Sequence, residues 1–318
     1  MCTRSSTILP MYPFRFGVQL KSAGSVEDWL ESVSKLQRLG YDIVTLPDHI
    51  DNSFSPFAAL GYLAAKTDLK IGTMVTSNDL RNPLLVAREA ATLALLSKGR
   101  FELGIGAGWQ ESDYSQLGVP MDAPRVRVSR LEESLEVIKS SFSKPSFSYS
   151  GLYYNPSEFQ LYPTLTPDLV PKILVGGGGS KVLSLAARFA DVISINPSLR
   201  LGEQAKETLE EMQQQSYRKK CNLVQDKLDE LGRKAEFHCR SAFVYIGSDH
   251  YKVVNEVASH LGVDTKDAYE MPPVLIGTVE SVIEQLQYRR EQFGFSYWSI
   301  HENDVDAFTP VVTVLKGK

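Results

Sequence analysis

Short apolar runs bounded by turn residues recur along the chain, and each is followed by a longer stretch whose apolar positions repeat at helical spacing. The runs at 14–20, 43–49, 70–75, 101–106, 172–175, 192–197, 238–246 and 297–300 predict eight strands. Helices are predicted over 26–39, 56–66, 83–96, 126–142, from the glycines at 176–179 through 190, and over 203–231, 251–261 and 279–293. In the first, Leu30, Val33, Leu36 and Leu39 share a face and Gly40 supplies the stop; in the third, Pro83 opens the helix where a missing N–H costs little. Strand followed by helix, eight times over, predicts a parallel sheet with helical crossovers that closes into a (β/α)8 barrel. The rhythm breaks between 143 and 171, where Pro, Ser, Tyr and Thr dominate, and a hairpin is expected around 146–154. A loop of that length predicts an inserted lid or wall over the barrel mouth. No internal repeat or boundary divides 1–318, so one domain is expected, with residues 1–13 as a leader.

Composition narrows the classes. The 318 residues are 43% hydrophobic and 23% charged, values of a water-soluble globular protein, and no apolar run approaches the roughly 18 residues of a membrane helix. A net charge of −4 with Lys and Arg dispersed leaves no basic field for nucleic acid. Cys2, Cys221 and Cys239 are odd in number and far apart, as expected of reduced thiols in the cytoplasm, and residues 1–11 lack the apolar stretch of a secretory signal. The five His residues, 49, 238, 250, 260 and 301, have no ligand spacing, so no metal is expected. The absence of Gly-x-Ser-x-Gly argues against an acyl-transfer hydrolase, and the order Ser180-Lys181 is not that of a Walker loop.

Candidate chemistry gathers at the strand ends. Gly176, Gly177, Gly178, Gly179 and Ser180 lie between a strand and a helix, where backbone N–H groups can surround an anion; a flexible turn is the alternative. Gly104-Ile105-Gly106-Ala107-Gly108 resembles a dinucleotide fingerprint, but Trp109, Gln110 and Glu111 follow where a third glycine is required. Small residues there would let a planar ring lie against the backbone with Trp109 near its edge, the alternative being close packing inside the barrel. Asp48-His49 puts a carboxylate and an imidazole at the mouth, fit either for proton exchange or for a core hydrogen-bonded pair. Asn78 and Asp79 could address a ligand or cap a helix, while Asn82 reads as a cap.

At Leu46-Pro47-Asp48-His49, at 88–93, at 99–109, at Arg130-Leu131-Glu132-Glu133 and at 173–179 the sequence resembles the luciferase-like monooxygenase superfamily, in its coenzyme F420 (deazaflavin) branch. The resemblance extends over nearly the whole chain. It implies an α/β fold, a TIM barrel of the bacterial-luciferase type with a segment inserted after the fourth βα unit. It further implies a cofactor ring at the carboxyl ends of the strands, backed by Thr73, Met74 and Val75 with a non-prolyl cis bond between the last two. Asp48 is then placed near the deazaflavin hydroxyl, Ala107 and Gly108 against the ring, and Gly176–Gly179 with Ser180 around the side-chain phosphate. His49 and Trp109 become the candidate catalytic residues. One departure is Trp109 itself: sugar-phosphate dehydrogenases of the superfamily carry Glu there, so their acid chemistry does not transfer and His49 is left to move the proton. The implied activity is hydride transfer between F420 and a small organic substrate. The alternatives are an FMN-dependent two-component monooxygenase using oxygen and a non-catalytic flavin-binding protein. A homodimer, and a separate reductase supplying reduced cofactor, are the implied partners.

Overall fold

The structure is a computed structural model that describes residues 12–21, 24–51, 53–198 and 206–318; Cys2, most of the expected leader and the first residues of the helix expected over 203–231 lie outside the described residues. Its strands are β1 (Arg15–Gln19), β2 (Ile43–Leu46), β3 (Lys70–Thr73), β4 (Thr76–Ser77), β5 (Phe101–Gly106), β6 (Lys172–Gly177), β7 (Val192–Ile195), β8 (Glu236–Arg240), β9 (Phe243–Ile246), β10 (Val274–Gly277) and β11 (Phe295–His301). Parallel pairing runs β3-β2-β1-β11-β8-β7-β6-β5, and β5 pairs back to both β3 and β4, so the sheet closes on itself. The result is a TIM barrel of eight strand positions, one of them shared by β3 and β4.

Besides the helix expected over 203–231, which among the described residues is two helices, Lys206–Glu210 and Gln214–Glu230, three sequence expectations are corrected. The strand expected over 238–246 is two strands: after β8 the Ser241 amide bonds to Ser299 O and the Ala242 amide to Pro273 O, and β9 leaves the barrel to pair with β10. An uninterrupted apolar run carries no mark of a change of partner. Second, β2 ends at Leu46 and β6 continues through Gly177, so Asp48-His49 is loop and the first two glycines of the run are strand. Third, short helices at Glu111–Leu117 and Thr265–Glu270 and a closing helix at Val305–Leu315 join those that the apolar spacing predicts. In the segment after helix Pro124–Ser143, pairing spans Phe147 to Phe159, wider than 146–154. The Glu133 carboxylate accepts from the amides of Leu152, Tyr153 and Tyr154 and ties that segment to the helix.

The closure between β3 and β5 is interrupted. Ladder pairing stops at Gly72–Glu102 and resumes at Thr76–Ile105. Between them the Thr73 hydroxyl donates to Gly104 O at 2.7 Å and accepts from Gly104 N at 3.0 Å, replacing backbone by side chain. Met74–Val75 is a non-prolyl cis peptide, as expected.

Beneath this bulge a hydrogen-bonded chain crosses the interior. Asn196 Nδ2 donates to Ser194 Oγ, which lies 2.8 Å from His238 Nδ1; His238 Nε2 lies 2.7 Å from Ser299 Oγ, which donates to Met74 Sδ. The consistent assignment has Ser194 donating to Nδ1 and Nε2–H donating to Ser299. Burial, with Arg15 and Arg240 adding, lowers the His238 pKa to about 3 from the ordinary 6.5. Between those values the unfolded chain binds the proton and the folded one does not, so His238 contributes stability at neutral pH that is lost as pH falls. Among the described residues no helix is long and apolar enough to cross a membrane. Replacing His238 by Gln is expected to make the acid limb shallower by about one proton, roughly 1.4 kcal/mol per pH unit, in denaturant titrations between about pH 3.5 and 6.

Candidate active site at the barrel mouth

The carboxyl ends of β2, β4, β5 and β6 bring most of the expected residues to one rim, each held by partners that the sequence did not reveal. Asp48 is buried, and its carboxylate takes both Nε and Nη2 of Arg81 at 2.7 Å plus the Ser77 amide at 3.2 Å. Its hydrogen bonds go to the chain itself, and they join the β2 end to the β4 end. The paired carboxylate raises the Arg81 pKa above its ordinary value, and Arg81 lies over the Phe57 ring. Asp79 is likewise committed, to Arg130 at 2.8 Å and to the Tyr114 hydroxyl at 3.2 Å. Burial and the nearby Asp79 carboxylate push Tyr114 up to about 12. Asn82 caps helix Pro83–Leu96 through the Leu84 amide.

The Ala107–Gly108 loop is fixed from two sides. Arg127 donates to Gly108 O and to Asp122 O, and Gly108 has φ +76°, with the Tyr114 hydroxyl where a Cβ would stand. Gly104 and Gly106 serve a different end from the one expected of them. A Cβ at Gly104 would collide with Thr73 O, and one at Gly106 would lie 2.8 Å from Val75 Cγ2. These two glycines are consumed by close packing of β5 against the bulge, so a ring could meet only Ala107 and Gly108.

His49 and Trp109 meet at the mouth. Their rings stand edge to face, 5.6 Å apart at 85°, and His49 Nδ1 is 2.8 Å from Asp113 Oδ2. Asp113 belongs to helix Glu111–Leu117, which the apolar spacing does not predict. The one available signal was an acidic helix start, Glu111-Ser112-Asp113, ahead of Gly118.

The glycine run divides in function. A Cβ at Gly177 would lie 2.5 Å from Val182 Cγ1, and one at Gly178 would lie 2.5 Å from Pro197 C and Ser198 N, whereas one at Gly179 meets nothing within 4 Å. Gly179 is the N-cap of helix Ser180–Phe189, with no side chain on the first amides. A cleft of about 650 Å³ adjoins this helix start and is lined by Arg125, Ser129, Tyr153, Ser180, Lys181 and Ser184 among others. Free helix amides with two cations nearby suit an anionic group.

A family model described as luciferase-like monooxygenase matches residues 8–270. The chain belongs to the luciferase-like monooxygenase family. Among similar proteins, the F420-dependent glucose-6-phosphate dehydrogenase of Kribbella flavida is 30% identical over 174 residues, 52% of this chain and 51% of the relative. The pyrimidine monooxygenase RutA of Methylobacterium radiotolerans is 29% identical over 185 residues, 57% and 47% of the two chains. The chain thus spans about half the length of the curated relatives it matches. The coenzyme F420-dependent tetrahydromethanopterin reductase from Methanopyrus kandleri superposes with a TM-score of 0.74 at 17% identity, over 96% of this chain and all of that one, and shares the fold.

The two turn glycines are expected to respond oppositely to a methyl group. Gly178→Ala should lose about 1–3 kcal/mol in urea unfolding through overpacking, while Gly179→Ala stays within roughly 0.5 kcal/mol of the parent.

Proposed function

We propose that this protein is an oxidoreductase that transfers a hydride between coenzyme F420 and a small organic substrate at the barrel mouth. The observation that carries the reading is His49, partly exposed between Trp109 and buried Asp113, on the same rim as the helix start at Gly179–Ser180. F420, when bound, supplies the ring that takes or gives the hydride.

The chain's own residues do the rest. The bulge at Met74–Val75 and the braced Ala107–Gly108 loop form a floor and a wall against which a flat ring can be held. Gly179 and Ser180 offer unshielded amides to an anionic tail, with Arg125 and Lys181 beside them. His49 exchanges the substrate's proton, and Trp109 shields that imidazole on one side. Orientation of the two reactants on a rigid rim is the main catalytic contribution. The dehydrogenase relative supports F420. The monooxygenase relative supports FMN with oxygen as the second reading, since the same rim would hold either ring. The buried free thiols Cys221 and Cys239 fit a reducing, cytoplasmic compartment.

For partners, we favour a homodimer. The adjacent helices Pro56–Ala64 and Pro83–Leu96 leave Tyr62, Leu85 and Leu96 exposed, large apolar groups that a second copy could cover.

Fluorescence titration with F420, FMN and FAD tests the cofactor. F420 is expected to bind at least about tenfold more tightly than FMN, and Gly179→Asp, which adds a carboxylate at the helix start, should lower that affinity at least tenfold with the melting temperature unchanged. Tighter binding of FMN would replace hydride transfer by the monooxygenase reading, and no binding of either would end both. In sedimentation velocity the parent should run as a dimer and the double variant Leu85→Glu, Leu96→Glu as a folded monomer.

A further inference from the structure

Three carboxylates stand behind the mouth, and two of them are neutralised by arginine. Asp48 holds Arg81 and Asp79 holds Arg130. The third, Asp113, pairs with no arginine or lysine among the described residues; that place is taken by the imidazole of His49. Asp113 is 3% exposed although Glu111 and Ser112 beside it are exposed. Its Oδ1 accepts from the Ile50 amide at 2.9 Å and from Gln110 Nε2 at 3.2 Å, and its Oδ2 lies 2.8 Å from His49 Nδ1. Both donors on Oδ1 are neutral, and the Ile50 amide comes from the residue next to His49. The carboxylate therefore grips the loop and the ring together.

We propose that Asp113 is a positioning residue that fixes the His49 imidazole with its proton on Nδ1, leaving Nε2 as the nitrogen that exchanges a proton with the substrate. An ionised carboxylate can only accept, so the nitrogen facing it must donate. The neutral ring then has its lone pair on Nε2, for which no hydrogen bond is found among the described residues. Trp109, edge to face with the ring, opposes rotation about χ2. When the substrate's O–H or N–H bond breaks, the proton binds Nε2 and the resulting imidazolium is stabilised by the Asp113 charge. It returns to solvent through the exposed quarter of the His49 side chain, 26% of its surface. Turnover thus begins and ends with the same tautomer. Asp113 is the charged group bonded to His49 among the described residues, and the residue before His49, Asp48, is paired with Arg81.

This inference rests on the proposed function for the purpose of the proton, but the tautomer is a property of the protein alone. The experiment is 15N NMR of the imidazole nitrogens in cofactor-free protein at a pH where the ring is neutral, with His49 assigned by comparison with His49→Gln. The parent is expected to show Nδ1 protonated and Nε2 bare. Asp113→Asn should move the proton to Nε2 or populate both tautomers, and Asp113→Glu should restore the parent pattern at least in part. In activity assays Asp113→Asn should lower kcat by at least about a hundredfold with F420 affinity within threefold of the parent, and Asp113→Glu should recover about tenfold of the loss. A parent His49 protonated on Nε2, or an Asp113→Asn spectrum identical to the parent, overturns the inference. Failure of the parent to bind F420 would instead strike the proposed function, and the NMR result would stand apart from it.

Discussion

The mouth of this barrel depends on how β3 meets β5. A closed cylinder of strands needs an unbroken ladder at every seam, and here the ladder is interrupted by a bulge that carries Met74 and Val75 inward. The Thr73 side chain supplies the missing pair of hydrogen bonds to Gly104, so the seam holds while the backbone departs from it. The lack of a Cβ at Gly72, Gly104 and Gly106 is what allows the approach, since each added carbon would run into the opposite strand or into Val75. Everything at the rim takes its position from that seam. Asp48 and Arg81 fasten the end of β2 to the amide of Ser77 just beyond the bulge, and Met74 is steadied from below by Ser299 and by Gln19, which donates to its carbonyl.

A second constraint is charge. Burying carboxylates is costly unless each is paired or hydrogen-bonded, and the rim satisfies this in two ways. Asp48 and Asp79 are paired with arginines and brace loops. Asp113 is paired with an imidazole, the partly exposed His49 side chain at the mouth. Deeper in the barrel His238 shows the opposite arrangement. Enclosed between two serines and remote from any carboxylate partner, it is held neutral and serves as a hydrogen-bond relay under Met74.

Relatives at about 30% identity over half their length include both an F420-dependent dehydrogenase and a monooxygenase. Within this chain the distinguishing features lie in the walls. Trp109 presents an aromatic edge to the imidazole, and the carboxylate bonded to that ring comes four residues later, from a short helix.

The alternation of apolar runs and helical spacing was enough to yield the barrel, because strand and crossover must alternate wherever a parallel sheet closes, and the eight strand positions lie close to where the pattern puts them. Asp48-His49, Ala107-Gly108 and the glycines at 176–179 were also legible, since small or ionisable residues after an apolar run stand out from what a core requires. Their division of labour was not. Whether a glycine clears space for a ligand or for a neighbouring strand depends on what lies opposite, and that decided Gly104, Gly106 and Gly178 one way and Gly179 the other. Asp113, Arg81 and Arg127 were hidden for the same reason: their partners are 64, 33 and 19 residues away in sequence, and a charged side chain carries no local sign of the group it will face. Sequence periodicity reports which face of an element is buried; only the closed barrel settles which atoms share the space inside it.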